Sequence, residues 1–199
     1  MAEILYQGHA SLRLTAAGGQ VIYVDPYAGE GYEKPADLIL VTHEHFDHNQ
    51  VGLVRLKENG KIIRARDALA GGNYLSFDLG FVRFQAVPAS NAHHDIRQCV
   101  GFLLQIDGRK LYLAGDTSFL PFMQERLPSE HLDYAFLPTD GIYNMGPEEA
   151  GRCAQLICAK KSIPIHMDPE QPFNLQIASR FLSSCQNGLI LRPGETLKV

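Results

Sequence analysis

The chain has 199 residues, 45% hydrophobic and 20% charged, with 18 Lys+Arg against 22 Asp+Glu for a formal charge of −4. That length suits one domain, residues 1–199, whose core needs no disulfide or metal merely to fold, and the acidic balance argues against nucleic acid as a partner. The longest apolar runs, such as residues 38–41 and 102–104, fall far short of the ~20 residues that cross a bilayer, so no membrane partner is expected either. The opening Met-Ala-Glu-Ile-Leu-Tyr lacks the basic and long apolar regions of a secretory signal. Cys99, Cys153, Cys158 and Cys185 form no CxxC pair and are read as reduced core thiols, which points to the cytoplasm.

In chain order, residues 4–6 and 11–15 are short strand candidates, and Gly18-Gly19 turns the chain into a third over 20–24. Residues 37–42 are nearly continuous apolar sequence, the mark of a strand covered on both faces. Over 49–59 the spacing of Val51, Leu53 and Val54, with Gly60 as a stop, predicts a helix. Strands are expected over 61–65, 74–77, 81–87, 100–106 and 109–114, the last two joined at Asp107-Gly108 by a two-residue hairpin turn. Residues 133–137 read as another strand. Pro147-Glu148-Glu149 then opens a helix with proline at its start and acids in the positive first turn. Ala150, Cys153, Ala154 and Ile157 form its apolar stripe, and Lys160-Lys161 suit its end. Strand 162–165, a helix over 175–183 and strand 189–191 complete an α+β pattern of face-to-face sheets with helices outside.

Three of the eight histidines fall in one window, His43-Glu44-His45-Phe46-Asp47-His48, directly after the strand over 37–42. A rigid strand end is where side chains converge on a ligand. Residues two apart in an extended segment face one way, so His43 and His45 can reach one ion while Asp47 and His48, turning away, suit a second. Imidazole and carboxylate are ligands for zinc, manganese or iron rather than calcium, and no nearby cysteine suggests a closed structural zinc site. Further candidates recur at strand ends: His93-His94, Asp116 and His166. Asp116 is the natural bridge, since a carboxylate has an oxygen for each of two ions.

With Gly8-His9-Ala10-Ser11, Asp25-Pro26, the 42–48 window, Pro88-Ala89, Gly115-Asp116-Thr117, Tyr143-Asn144-Met145 and Pro164-Ile165-His166, the chain resembles the metallo-β-lactamase superfamily nearly end to end. It is most similar to its small bacterial metal-dependent hydrolases, which include L-ascorbate-6-phosphate lactonase-like proteins. The resemblance implies a four-layer αββα sandwich with two divalent ions at one sheet edge, zinc first, manganese or iron as alternatives. It implies His43, His45 and His94 on one ion, Asp47, His48 and His166 on the other, and Asp116 bridging. His94 is preferred to His93, which is left at the pocket rim. Asp25 is either an acceptor behind a ligand imidazole or a strand-end turn residue. His9 either nears the pocket or caps a turn, and Tyr143 and Asn144 either border the groove or shape their turn.

The expected enzyme is a metal-dependent hydrolase that activates water against a small lactone, ester, amide or phosphoester, with Asp47 and Asp116 taking part in catalysis. No Gly-x-Ser-x-Gly element offers a serine nucleophile. Two alternatives stay open: an iron-dependent oxygenase or redox enzyme on the same scaffold, and a non-catalytic metal-binding module. The basic residues Arg55, Lys57, Lys61, Arg64 and Arg66 either meet a phosphate or form a solvated helix end and strand edge, the commoner case. A homo-oligomer is compatible with the sequence. Phe119, Phe122 and Phe173 are assigned to no one place among pocket, interface and core.

Overall fold

Alternation of apolar side chains builds two sheets, described by a computed structural model of residues Met1–Val199. The strands are β1 (Glu3–Gly8), β2 (Ser11–Thr15), β3 (Val21–Val24), β4 (Ala36–Val41), β5 (Leu56–Arg64), β6 (Leu69–Ala70), β7 (Asn73–Tyr74), β8 (Ser76–Asp78), β9 (Arg83–Pro88), β10 (Val100–Ile106), β11 (Arg109–Leu113), β12 (Tyr134–Pro138), β13 (Lys161–Ile165) and β14 (Thr196–Lys198). The helices are α1 (Ala65–Ala68), α2 (Pro121–Glu125), α3 (Pro147–Ile157) and α4 (Leu175–Ser183). One six-stranded sheet runs β14-β1-β2-β3-β4-β5 and the other β13-β12-β11-β10-β9-β8, while β6 and β7 form a small hairpin. No helix is long and apolar enough to cross a membrane.

The inner faces of the sheets bury the main core, with Tyr6, Leu12, Leu38, Phe102 and Phe136 at its centre. Truncating Phe136 to Ala would cost about 3–5 kcal/mol in lost burial and cavity. The outer face of the second sheet carries a second apolar layer, where Tyr112, Ala135 and Leu137 meet Cys153, Ala154 and Ile157 of α3 and Phe181 of α4. The αββα order therefore holds. The layer over the first sheet is thin: Tyr23, Ile39 and Val41 are covered by Tyr32, Val51 and Val54, from a loop and one 3₁₀ turn (Val51–Leu53) rather than a long helix.

Several expectations need correction. No helix spans 49–59. The chain makes the 3₁₀ turn and enters β5, which pairs with β4 through an irregularity that takes register from Ala36↔Leu56 to Leu38↔Lys61. Gly60 is no helix stop; it sits inside that strand, where a Cβ would lie 2.7 Å from the Ala36 carbonyl oxygen. The hydrophobic spacing was real, but Val51 and Val54 serve the outer face of the sheet. Residues 189–191 form no strand. The last strand is β14, antiparallel to β1; its short Thr-Leu-Lys carries little apolar signal. Lys160 does not finish α3, because its ammonium reaches Asp133 at 2.8 Å, and Lys161 already belongs to β13. Phe122 packs against the helical layer and Phe173 against the inter-sheet core, while Phe119 is exposed. All four cysteines are free and all but Cys158 are buried.

The helix beginning at Pro147 and the Asp107-Gly108 turn form as expected, the latter with φ of 48° and 78° at its two residues. Both sheets carry parallel neighbours: β3, β4 and β5 in one, β11, β12 and β13 in the other. Ligands in such sheets gather beyond the carboxyl ends of the parallel strands. The two sheets are stitched at this edge by backbone bonds, the His166 amide donating to the His9 carbonyl (2.7 Å) and the Val100 amide to the Thr42 carbonyl (3.0 Å). Gly115 permits the close approach: its φ is +65°, and a Cβ there would lie 2.8 Å from the Val100 oxygen.

Candidate metal centre

Five of the six parallel strands each deliver one polar residue to this edge. Asp25 follows β3, His43 follows β4, Asp116 follows β11, Asp140 follows β12 and His166 follows β13. Three site residues adopt left-handed backbone, His9, Asp25 and His166, with φ of 53°, 45° and 44°. Such conformations cost free energy in non-glycine residues and persist where surroundings fix them. At His9 the fixing bonds are visible: its amide donates to the Pro172 carbonyl (2.7 Å), and its carbonyl accepts from the Tyr6 hydroxyl (3.0 Å) as well as from His166.

Side-chain atoms of His43, His45 and His94 converge, as do those of His9, Asp47, His48 and His166, with His43, His48 and Asp116 joining the two groups. Asp116 lies between them, its oxygens 3.3 Å from His94 Nε2, 3.3 Å from His166 Nε2, 3.4 Å from His48 Nε2 and 4.0 Å from His43 Nε2. The structure thus gathers all seven residues picked out by the motif. It also separates the adjacent histidines: His94 is buried in the cluster, whereas His93 is exposed, edge-on to the Tyr143 ring at 5.5 Å.

Four of the imidazoles share one orientation. His48 Nδ1 lies 3.0 Å from Asp25 Oδ2, and His94 Nδ1 lies 2.8 Å from Asn91 Oδ1. His43 Nδ1 is 3.1 Å from Thr42 Oγ1, whose proton goes to Asp25 at 2.7 Å, leaving the hydroxyl oxygen free to accept from the imidazole. His166 Nδ1 is 3.2 Å from Asp140 Oδ2, off the line of a good hydrogen bond. With Nδ1 of His43, His48 and His94 tied outward and that of His166 facing Asp140, Nε2 of each points inward, the arrangement that metal-binding histidines require. His45 instead presents Nδ1, 3.2 Å from His94 Nε2.

Buried polar atoms are normally paired. Here Nε2 of His43, His48 and His166 and Oδ1 of Asp116 are buried without any hydrogen bond. Bound cations would satisfy all of them, so the donor set fits a metal centre with nitrogen and oxygen ligands. Electrostatics agrees. Burial holds the His43 pKa down to about 2. Burial opposes ionisation of Asp116 too, but the charges of His166 and His48 outweigh it and hold this carboxyl well below its usual range. For His48 and His166 burial pulls the pKa down, yet Asp116 and the neighbouring carboxylates win and raise both. In the metal-free chain the proton held by His166 offsets the Asp116 charge.

Asp25 is the acceptor behind His48 and also takes the Thr42 amide at 2.8 Å. His9 is in the pocket, its Nε2 3.1 Å from Asp47 Oδ2. Sequence reasoning missed Asp140 and Asn91. Asp140 accepts from the amides of Ile142, Tyr143 and Asn144 and from the Asn144 side chain, which in turn accepts from Asn91. Asn144 therefore connects the supports of His166 and His94. A signal existed: Thr139-Asp140 follows a strand as Gly115-Asp116 does.

A model of the "Beta-lactamase superfamily domain" family matches residues 3–166. A UPF0173 metal-dependent hydrolase of Ligilactobacillus salivarius is 32% identical over 196 residues, covering 88% of this chain and 89% of its own. The chain belongs to the UPF0173 metal-dependent hydrolases of the metallo-β-lactamase superfamily. Another UPF0173 hydrolase, from Thermus thermophilus, is 30% identical with both chains fully covered. Igni18, a metallo hydrolase of Ignicoccus hospitalis, shares the fold, with a TM-score of 0.74 at 21% identity over 98% of this chain and 97% of that one. As a UPF0173 member the chain is a metal-dependent hydrolase with a buried His/Asp metal-site cluster.

Proposed function

We propose that the chain hydrolyses a small lactone, ester, amide or phosphoester with two divalent cations, zinc first, manganese or iron as alternatives. The observation that carries the proposal is the ring of inward, unpaired Nε2 atoms around Asp116. His43, His45 and His94 would hold one cation, Asp47, His48 and His166 the other, and Asp116 would be shared. When bound, such cations supply Lewis acidity and lower the pKa of a water beside them from about 16 toward about 7.

The protein's part is orientation. Asp47 Oδ2 is engaged by His9, and Asp47 lines an open cavity of about 580 Å³. Its Oδ1 has no protein hydrogen bond, so it is free to accept from an attacking water and aim it. Burial of His9 lowers its pKa, partly offset by its bond to Asp47. Phe46 and Tyr143 line the mouth of the cavity and offer apolar surface to a substrate. Four free cysteines suit a reducing compartment, and a cytoplasmic location is part of the proposal.

Elemental mass spectrometry on protein purified without chelators, followed by a lactone, ester, amide and phosphodiester panel, tests it. The expected result is two zinc or manganese per chain and turnover in at least one class, abolished by chelation and restored by metal. A single iron with oxygen uptake would replace the hydrolytic reading by redox chemistry, and no metal after reloading would overturn it.

A further inference from the structure

Beside the cavity over the metal centre lies a second of about 390 Å³, and Glu44, His45, His93 and His94 line both. Its remaining wall includes Arg66 and the Asp95–Arg97 segment. Topology places Arg66 there. Val41 of β4 pairs with Arg64 of β5 in parallel register, so His43 and Arg66 each stand two residues beyond the paired position at the same sheet edge. The strand that carries the first histidine and the strand that carries Arg66 thus leave the sheet side by side.

The charges around this cavity are unevenly matched. The Glu44 carboxylate accepts from the Arg64 guanidinium at 2.7 Å. Asp95 accepts from Arg97 at 2.6 and 3.1 Å. Asp67, next to Arg66 in sequence, turns back to accept from the Arg64 amide at 3.0 Å. Every acid near the cavity is committed, and Arg66, exposed, has neither a carboxylate within 4.0 Å nor a hydrogen bond. Its guanidinium is the one arginine head here whose charge and planar fork are uncompensated. A guanidinium binds carboxylate and phosphoryl oxygens through two parallel N–H bonds, a geometry that lysine does not offer. The net charge of −4 gives the chain no general attraction for anions, so recognition of one must be local.

We propose that the second cavity recognises an oxyanion, a carboxylate or phosphoryl group, and that Arg66 binds it. Resting on the hydrolase reading, it follows that the substrate carries an acidic group away from its scissile bond, spanning from the metal-centre cavity into this one across His45 and His94. Arg66 is then a specificity residue that never touches the reacting atoms. The basic cluster noted in the sequence divides accordingly: Arg64 is spent on Glu44 and Lys57 on Asp37, while Arg55 and Lys61 do not line this cavity, so Arg66 is the member of the cluster placed to meet a ligand here.

The test reads Arg66 itself, without turnover. Metal-loaded protein is titrated with benzoate, phenyl phosphate and, as neutral control, benzyl alcohol, following arginine Nε–H resonances by NMR. The Arg66 signal is assigned by its loss in Arg66→Gln. It should move saturably with at least one anion and not with the alcohol, and the tighter anion separates carboxylate from phosphoryl recognition. Affinity for that anion should fall about tenfold or more in Arg66→Gln and recover partly in Arg66→Lys, with metal content unchanged, since a charged hydrogen bond is worth about a tenfold factor or more. An Arg66 signal unmoved by both anions, or equal affinity in Arg66→Gln and the parent chain, overturns the proposal. Anions that bind only at the metals leave Arg66 still and so count against it. Failure of the hydrolase reading would appear in the substrate panel and leave this binding result intact.

Discussion

The two sides of the metal centre are built differently. On the deep side His48, His166 and Asp116 are buried, and the first two lean on the carboxylates of Asp25 and Asp140. Two of the residues here, Asp25 and His166, hold left-handed backbone, and the His166 amide bond to the His9 carbonyl also joins the sheets. On the open side His45 and His93 are exposed, and His94 leans on a neutral amide, Asn91. A charged acceptor behind an imidazole raises its basicity more than a neutral one does. The deep side is therefore the pre-formed, tighter half, and the open side is where ligands exchange. Only the open side borders the second cavity.

Asp116 belongs to both halves, so its loss should have the largest effect. Asp116→Asn replaces a shared charged oxygen by an amide nitrogen that cannot bind a cation, and activity should fall by about 10³-fold or more. Elemental analysis should show metal lost from both halves; near-parental metal content would refute the shared role. Asp25→Asn comes next. Asp25 accepts from the Thr42 amide, the Thr42 hydroxyl and His48, so an asparagine there must turn its NH2 toward a buried donor. Metal affinity should drop about 10–100-fold. Asn91→Ala, behind His94, should fall at the low end of that range. Equal losses in competition titrations with a metal indicator would erase the distinction between the halves.

Much of this site was legible in the chain because a strand end is a local feature. The 37–42 run, the His43–His48 window, Asp116 and His166 are each adjacent to a recognisable strand. The supports were harder to see. Asn91 lies in an irregular loop and Asp140 just past β12; the contacts of their side chains with His94 and His166, and the Asn144 side chain that links them, appear only in the folded chain. The fold shows the same division. The helix at Pro147 carries its own capping and stripe signals, whereas 49–59 has helical spacing that the sheet overrides: Val51 and Val54 cover β3 and β4, and Gly60 must pass the Ala36 carbonyl. β14 escapes notice because pairing with β1, not its own composition, makes it a strand.

The deep side also sets the pH response. Burial would lower His48 and His166, but Asp116 and its neighbours raise both above the ordinary 6.5, so in the metal-free chain both hold their protons more tightly than a free imidazole does. A cation must displace those protons. Metal affinity should therefore decline as pH falls, beginning above pH 6.5, by about tenfold per unit for each proton displaced. Calorimetry at pH 7 in buffers of different ionisation enthalpy should count at least one proton released; none would contradict the assignment. The contribution of these two histidines to the stability of the metal-free chain runs the other way. The raised histidines favour folding most below 6.5 and lose that contribution as pH rises through their folded pKa values, while depressed Asp116 contributes above 3.8 and loses it as pH falls further.

The smallest effect is expected at His93, and it sharpens the comparison most cheaply. His93 is adjacent to His94 in sequence but stands at the rim beside Tyr143, where both cavities meet. If the open side serves ligands rather than metal, His93→Ala should leave metal content unchanged. Its KM should shift by about two- to threefold, the scale of a partly exposed contact worth under 1 kcal/mol. A loss of metal would instead place this histidine among the ligands. The tight Asn91–His94 bond argues against that exchange, because moving His93 inward would have to break it.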